Sequence, residues 1–239
     1  MLLKSLIRFD SLFDIILPRA CLICRTRTQE PHHLCQPCAQ ELPILSHSCQ
    51  KCAQFLHASS QRQLICGECL SNPPSYDVAY ALLRYQPPLP RLIAGLKFEA
   101  QLSHASVFSC LMAKAVQDRW YAQQPLPDLI LPMPLHASRL RERGYNQATE
   151  IVRPLAQSLK INIDHGVIRH KPTLPQHALP ASKRRQNIDH AFTALRNYSR
   201  LHIAIVDDVM TTGHTVAAAA STLKAHGARR VDIWCCARA

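Results

Sequence analysis

The sequence contains no apolar run that is long enough to span a membrane. Its most apolar stretch, residues 1–17, is interrupted by Lys4, Arg8, Asp10 and Asp14, and no small-residue cleavage site follows it. We therefore expect no secretory signal and a cytoplasmic protein. Apolar residues recur here three and four positions apart, which predicts an amphipathic helix over residues 1–18. We expect that helix to pack on the rest of the protein rather than on a membrane surface.

The sequence also contains little glycine and few aromatic residues. Only 6 Gly among 239 residues argue against a low-complexity chain, and 47% hydrophobic residues are typical of a globular protein. The 6 Phe, 6 Tyr and 2 Trp form no stretch that interleaves aromatic and basic residues, as single-strand binders that stack bases do. The formal charge of +12 nevertheless suits an anionic partner such as nucleic acid or a polyphosphate.

Cysteine is abundant, and eight of the 11 cysteines form four CxxC pairs. Without an export signal, paired cysteines are better explained by metal than by disulfides. We expect residues 19–72 to form a zinc-ribbon module, because so short a segment with few aliphatic residues needs metal to fold. The simplest assignment gives the first two pairs one zinc ion and the last two another; crossed pairing and redox-active dithiols are the alternatives. The predicted ligands are Cys21, Cys24, Cys35, Cys38, Cys49, Cys52, Cys66 and Cys69. Four protein ligands per site leave no open position, so the zinc should be structural.

The remainder of the chain alternates between strand and helix patterns. A proline-containing stretch, residues 71–74, ends the cysteine module. Apolar strands are predicted at residues 78–85, 129–131, 203–206 and 231–235, and one long helix is predicted from about residue 135 to Leu159. This rhythm predicts an α/β domain over residues 76–239, with a parallel sheet flanked by helices.

The segment after the strand at residues 203–206 is the strongest candidate for chemistry. Asp207 and Asp208 follow the strand at its carboxyl end, where open α/β sheets bind ligands. Residues 211–215 then supply hydroxyls, one glycine and the start of an alanine-rich helix, which is a suitable anion site. A sugar phosphate needs both features, carboxylates for its hydroxyls and a cradle for its phosphate. An ordinary strand-turn-helix with capping aspartates is the alternative.

This segment resembles the binding motif for phosphoribosyl pyrophosphate (PRPP) in type I phosphoribosyltransferases. The resemblance implies that Asp207 and Asp208 hold the ribose 2′- and 3′-hydroxyls. It also implies that five residues wrap the 5′-phosphate, and that Mg²⁺ bridges the pyrophosphate and the ribose hydroxyls. The five are Thr211, Thr212, Gly213, His214 and Thr215.

Further motifs accompany the CxxC module and the loop at residues 211–215, namely residues 131–135, 139–147, 173–176 and 184–187. Together these stretches resemble the ComF/GntX group of competence-associated proteins. The resemblance implies a role in natural transformation, the import of single-stranded DNA into the cytoplasm. It further implies PRPP as ligand and partnership with a ComFA-type helicase and other competence proteins.

Two basic clusters are candidates to bind phosphate. One contains Arg139, Arg141 and Arg143, and the other is residues 183–185, in a region that is a mobile flap in related transferases. We expect Arg139, Arg143 and Arg184 to stabilise a pyrophosphate leaving group, although a solvated helix face also explains the first cluster.

Three functions fit these features. The chain is a phosphoribosyltransferase with an unidentified acceptor, a DNA-handling protein that binds PRPP without turnover, or a scaffold whose zinc module docks other competence proteins. The intact Asp207 and Asp208 favour the first two.

Overall fold

The computed structural model describes residues 19–30, 32–56, 64–170 and 191–239. The helix predicted at residues 1–18, Arg184 with its basic cluster, and the motif stretches 173–176 and 184–187 lie outside the described residues. Within the described ranges, no helix is both long enough and apolar enough to cross a membrane.

The chain divides into two compact units, Met1–Leu42 and Pro43–Ala239. In the first unit, a turn after Cys21 is closed by hydrogen bonds from the Cys21 N–H to the Thr26 carbonyl (2.8 Å) and from the Arg25 N–H to the Cys21 carbonyl (2.9 Å). Helix α1 (Gln36–Gln40) follows, with proline in its first turn, where a missing N–H costs nothing. The third and fourth CxxC pairs, from Cys49 to Cys69, thus belong to the second unit. The predicted boundaries at residues 19–72 and 76–239 stay a prediction, because a compact unit is not the same as an independently folding module.

The second unit is built on a five-stranded, all-parallel sheet in the order β1-β7-β6-β2-β3. Strands β6 and β7 lie at its centre and are the most deeply buried, and each extends beyond the predicted apolar core. A separate antiparallel ribbon pairs β4 with β5. The strands are β1 (Val78–Arg84), β2 (Leu129–Pro132), β3 (Asn162–Ile163), β4 (Val167–Arg169), β5 (Phe192–Ala194), β6 (His202–Met210) and β7 (Arg230–Arg238). The sheet confirms the predicted parallel α/β class.

Helices flank this sheet, and the apolar side chains that face it are buried. The single helix predicted between about residue 135 and Leu159 is wrong, because the segment forms two helices. Gly144 ends the first with a positive φ of 78°, and Asn146 caps the second by accepting a hydrogen bond from the Ala148 N–H (3.0 Å). The helices are α2 (Gly67–Ser71), α3 (Leu89–Phe98), α4 (Ser103–Ala115, continued by a π-helical turn), α5 (Ala137–Arg143), α6 (Gln147–Leu159) and α7 (His214–Ala225).

Candidate functional site

The predicted acid pair lies at the carboxyl end of β6, the central strand. Asp208 is 3% exposed, and its Oδ1 accepts hydrogen bonds from the Lys97 ammonium (3.0 Å) and the Val209 N–H (2.7 Å). Its Oδ2 is buried and has no hydrogen-bond partner within the described part of the chain. Because an unpaired buried carboxylate oxygen is costly, this atom is an open acceptor for a ligand hydroxyl or a metal-bound water.

Asp207 is partly exposed, and its Oδ1 accepts a hydrogen bond from the Asp208 N–H (2.9 Å). Desolvation and the adjacent charge of Asp208 raise the pKa of Asp207 to about 7, although the Lys97 and Arg169 cations oppose the rise. Two adjacent carboxyl groups therefore resist full ionisation, and a ligand that donates hydrogen bonds would relieve their repulsion.

The predicted phosphate loop connects β6 to α7. Thr211 and Thr212 are exposed, and Gly213 precedes the helix with a φ of 79°, a left-handed conformation that favours glycine. The first-turn N–H groups of α7 have no acceptors within the helix, so they can bind an anion. The acid pair thus lies at the end of β6, and the loop follows it directly in the chain. Both are at the edge where parallel sheets bind ligands.

The basic cluster on α5 divides into residues with different surroundings. Arg139 lies 3.6 Å from Glu142, and Arg141 is exposed to solvent. The Arg143 guanidinium lies 5.2 Å from the ring centroid of Phe98 and donates to the Gln147 side chain (3.0 Å). Its buried Nε finds no hydrogen-bond acceptor among the residues that the structure describes. The third predicted arginine, Arg184, lies outside those residues.

Two further cations approach the acid pair. Lys97, from the end of α3, lies more than a hundred positions before Asp208 in the sequence, so its role could not be predicted from any local pattern. Arg169, at the end of β4, is the second of these cations. Burial lowers the pKa of Arg169, the Asp207 charge opposes this, and the Arg139 charge adds to it. Arg139 and Arg169 therefore lie within electrostatic reach of one another.

An open crevice of about 850 Å³ lies beside this edge of the sheet. It is lined by the segment that follows β2, by the start of α6 and by β4. The lining is mainly apolar but includes the polar side chains of His136, Asn146, Arg153, His165 and Arg169. The crevice has the volume of a small-molecule site, and its lining includes Arg169, whose charge acts on Asp207.

The eight CxxC cysteines form two clusters, each of four sulfur atoms that lie within 4.8 Å of one another. The first contains Cys21, Cys24, Cys35 and Cys38, and the second contains Cys49, Cys52, Cys66 and Cys69. Both the Cys24–Cys35 and the Cys52–Cys66 sulfur distances are 3.6 Å. Tetrahedral zinc with bonds of about 2.3 Å needs sulfur atoms about 3.8 Å apart, so the clusters fit zinc and the sequential pairing.

The first cysteine of each cluster has a pKa below the ordinary value of a thiol. Burial opposes ionisation of Cys21, but the backbone N–H groups of Cys35, Cys24 and Ile23 outweigh it and lower the pKa to about 6. Burial likewise opposes ionisation of Cys49, whose pKa neighbouring backbone N–H groups lower to about 7. Burial and then hydrogen bonds to other thiols of the cluster raise the pKa of Cys38 and of Cys69, so the first cysteine of each cluster ionises before the last.

Within the described ranges, the three other cysteines belong to neither four-sulfur cluster. Cys235 and Cys236 are fully buried in β7, whereas Cys110 is partly exposed. Burial, followed by the charge of Asp207, raises the pKa of Cys235 to about 12, so it is an inert core residue rather than a nucleophile.

Residues 12–70 match the double zinc ribbon domain family, and residues 140–239 match the phosphoribosyl transferase domain family. The DNA utilization protein YhgH of Shigella flexneri is 34% identical over 220 residues, which cover 91% of this chain and 89% of that protein. Competence protein F of Haemophilus influenzae is 36% identical over 191 residues, which cover 77% of this chain and 83% of that protein.

Among solved structures, a purine phosphoribosyltransferase from Pyrococcus horikoshii Ot3 aligns with a TM-score of 0.35 at 16% identity, covering 67% of this chain and 78% of the other. A TM-score this low adds nothing to the assignment. The full-length relatives and the two matched domains are sufficient: the chain belongs to the ComF family of competence-related proteins, in which it combines a double zinc ribbon with a phosphoribosyltransferase domain.

Proposed function

We propose that this protein binds PRPP at the carboxyl end of β6 and handles incoming single-stranded DNA in the cytoplasm during natural transformation. The observation that carries the proposal is the buried, unpartnered Oδ2 of Asp208, directly before an exposed loop at a helix N-terminus. This atom would accept a ribose hydroxyl, and Asp207 would accept the other. The loop of residues 211–215 would bind the 5′-phosphate through its N–H and hydroxyl groups.

The surrounding cations fit the diphosphate of PRPP. Arg169 lies within electrostatic reach of both Asp207 and Arg139, and Arg143 has a buried Nε available to an acceptor. Together with Arg184, they would neutralise pyrophosphate, either as part of a bound ligand or as a leaving group. Mg²⁺, where it accompanies PRPP, would neutralise diphosphate charge, with Asp207 and Asp208 as the protein's nearby oxygen donors.

Two observations support the DNA-handling role. A relative that matches 91% of the chain is named DNA utilization protein YhgH, and one that matches 77% is named Competence protein F. The +12 formal charge suits a polyanion, which is consistent with a nucleic-acid partner. A ComFA-type helicase and other competence proteins are the protein partners that this role implies.

The second candidate function is catalytic transfer of phosphoribose to a nucleobase, a nucleotide or another small acceptor, without direct DNA contact. The crevice of about 850 Å³ that Arg169 helps to line favours it, because a transferase must seat an acceptor next to PRPP. In that case C1–O cleavage would release pyrophosphate toward the arginines.

Calorimetric titration with PRPP and Mg²⁺ tests the binding proposal. We expect saturable binding to the wild type and a loss of about 100-fold or more in Asp208→Asn, because an amide cannot accept through both of its terminal atoms. Asp118→Asn, which changes an exposed helix acid, is the matched control. Wild-type protein that shows no heat of binding at millimolar PRPP would refute the site.

Adding single-stranded DNA to the same titration tests whether the protein binds DNA directly. DNA binding should weaken steeply as salt rises, since each phosphate contact releases counterions. Pyrophosphate release assayed with nucleobases, nucleotides and DNA separates turnover from binding: release that vanishes in Asp208→Asn identifies an enzyme, and silence with every acceptor favours binding without turnover.

A further inference from the structure

Arg238, at the end of β7, touches both the second cysteine cluster and the predicted phosphate loop. Its Nε donates to the backbone carbonyl of Cys52 (3.0 Å), a member of the cluster. Its Nη1 donates to the carbonyl of Met210 (3.1 Å) and also to that of Thr211. One rigid, planar guanidinium therefore joins the backbone of a metal ligand to the backbone of the loop.

Other contacts fix this part of the cluster against strand β1 and the residue that precedes it. The Ala79 N–H of β1 donates to the Lys51 carbonyl (2.9 Å), and the Lys51 ammonium donates to the Asp77 carbonyl (3.0 Å). Lys51 lies between the cluster members Cys49 and Cys52, so the CxxC turn itself is held by the sheet.

The segment that leaves the cluster lies against the other side of the loop. The Ser75 hydroxyl donates to the Ala217 carbonyl in α7 (2.5 Å), and a Cβ added at Gly213 would lie 3.4 Å from the Tyr76 hydroxyl. A crevice of about 530 Å³ is lined on one side by Cys52, Cys66 and Cys69 and on the other by residues 212–214. The second cysteine cluster and the loop thus line the same crevice.

This arrangement matters because a phosphate loop works by aiming N–H groups at one point. Its carbonyls must therefore point the opposite way, and those of Met210 and Thr211 are held there by Arg238. A loop that is already ordered loses less entropy on binding, so its affinity is higher. If the four thiols lose their metal, the turn that presents the Cys52 carbonyl loses its main source of folding energy.

We propose that the second cysteine cluster and Arg238 act as a brace for the phosphate loop, so that zinc occupancy of this cluster controls the affinity for PRPP. The affinity part rests on the proposed function, whereas the ordering of the loop does not. Arg238 is a positioning residue: it acts through the backbone of residues 210 and 211 rather than on the ligand.

The test compares Arg238→Lys with Arg230→Lys. Arg230 lies at the opposite end of the same strand and bonds to Asp232 and Gln124, which makes it a matched control. Hydrogen–deuterium exchange is measured in the zinc-loaded protein without ligand, followed by PRPP titration. In Arg238→Lys we expect amides of residues 210–216 to exchange about tenfold faster or more, and PRPP affinity to fall about tenfold, with zinc content unchanged. In Arg230→Lys we expect a lower melting temperature without either change.

A second arm removes the metal ligand directly. Cys66→Ser should accelerate exchange of the same amides and weaken PRPP binding, whereas Cys24→Ser in the first cluster should do neither. If Cys66→Ser does not fold, Arg238→Lys decides alone. Loop exchange in Arg238→Lys that equals that of Arg230→Lys would overturn the brace. A wild type that fails to bind PRPP would instead overturn the proposed function, and loop exchange would still decide the brace.

Discussion

Replacing Lys97 by methionine tests the electrostatics of the acid pair. Methionine keeps most of the apolar stem and removes the ammonium that lies 3.0 Å from Asp208 Oδ1. At that distance, an effective dielectric of 20 gives a gross attraction of about 5–6 kcal/mol, much of which offsets desolvation. The Asp208 side chain is 4% exposed and that of Lys97 is 23% exposed, so solvent replaces part of the lost interaction.

We therefore expect Lys97→Met to lower the free energy of unfolding by about 2–3 kcal/mol, between the values for a charged hydrogen bond and a fully buried pair. In a domain of this size that corresponds to a melting temperature lower by about 5–10 °C. PRPP affinity should fall about tenfold, because an anionic ligand would meet two carboxylates with one cation fewer.

The assay is thermal unfolding combined with calorimetric PRPP titration. Lys114→Met is the matched control, since Lys114 pairs with Asp118 at 2.8 Å but both side chains are more than half exposed. Removing that surface pair should change stability by less than about 1 kcal/mol. The electrostatic reasoning is refuted if the two lysine variants have the same melting temperature and the same PRPP affinity.

Three further predictions concern the acid pair, the core and the metal. Between about pH 4 and 7 the folded state holds a proton on Asp207 that the unfolded state releases, because the pKa is raised from 3.8 to about 7. Stability should therefore fall as pH rises through this window, and less so in Asp207→Asn, as thermal unfolding at about pH 5 and pH 8 will show. Asp232 is fully buried and accepts hydrogen bonds from Tyr121 (2.5 Å), His202 (2.8 Å) and Arg230 (3.0 Å). Asp232→Ala should cost about 3–5 kcal/mol in urea unfolding, and a loss under about 1 kcal/mol would contradict the network. Elemental analysis should find two zinc ions per chain, and a strong chelator should lower the melting temperature; one ion per chain would contradict the pairing of cysteines.

Local patterns were sufficient to predict the classes of structure in this chain. The apolar run at residues 203–206 predicted a buried strand, because four consecutive apolar residues are typical of a strand that is covered on both faces of a sheet. The spacing of the CxxC pairs predicted two four-sulfur clusters because each turn brings two sulfur atoms together. The predicted single helix before Leu159 was wrong because Gly144 adopts a left-handed conformation that ends α5, and apolar periodicity does not report a backbone angle.

Features that depend on neighbours within a few residues could be predicted from the sequence: the parallel α/β class, the cysteine clusters and the adjacency of the acid pair to its loop. The distant residues that complete the site became known only from the folded chain. Lys97 reaches Asp208 from α3, Arg169 approaches Asp207 from β4, and Arg238 joins Cys52 to Thr211. Parallel strands bring their carboxyl ends to one edge, so residues far apart in the chain meet there only once the sheet has formed.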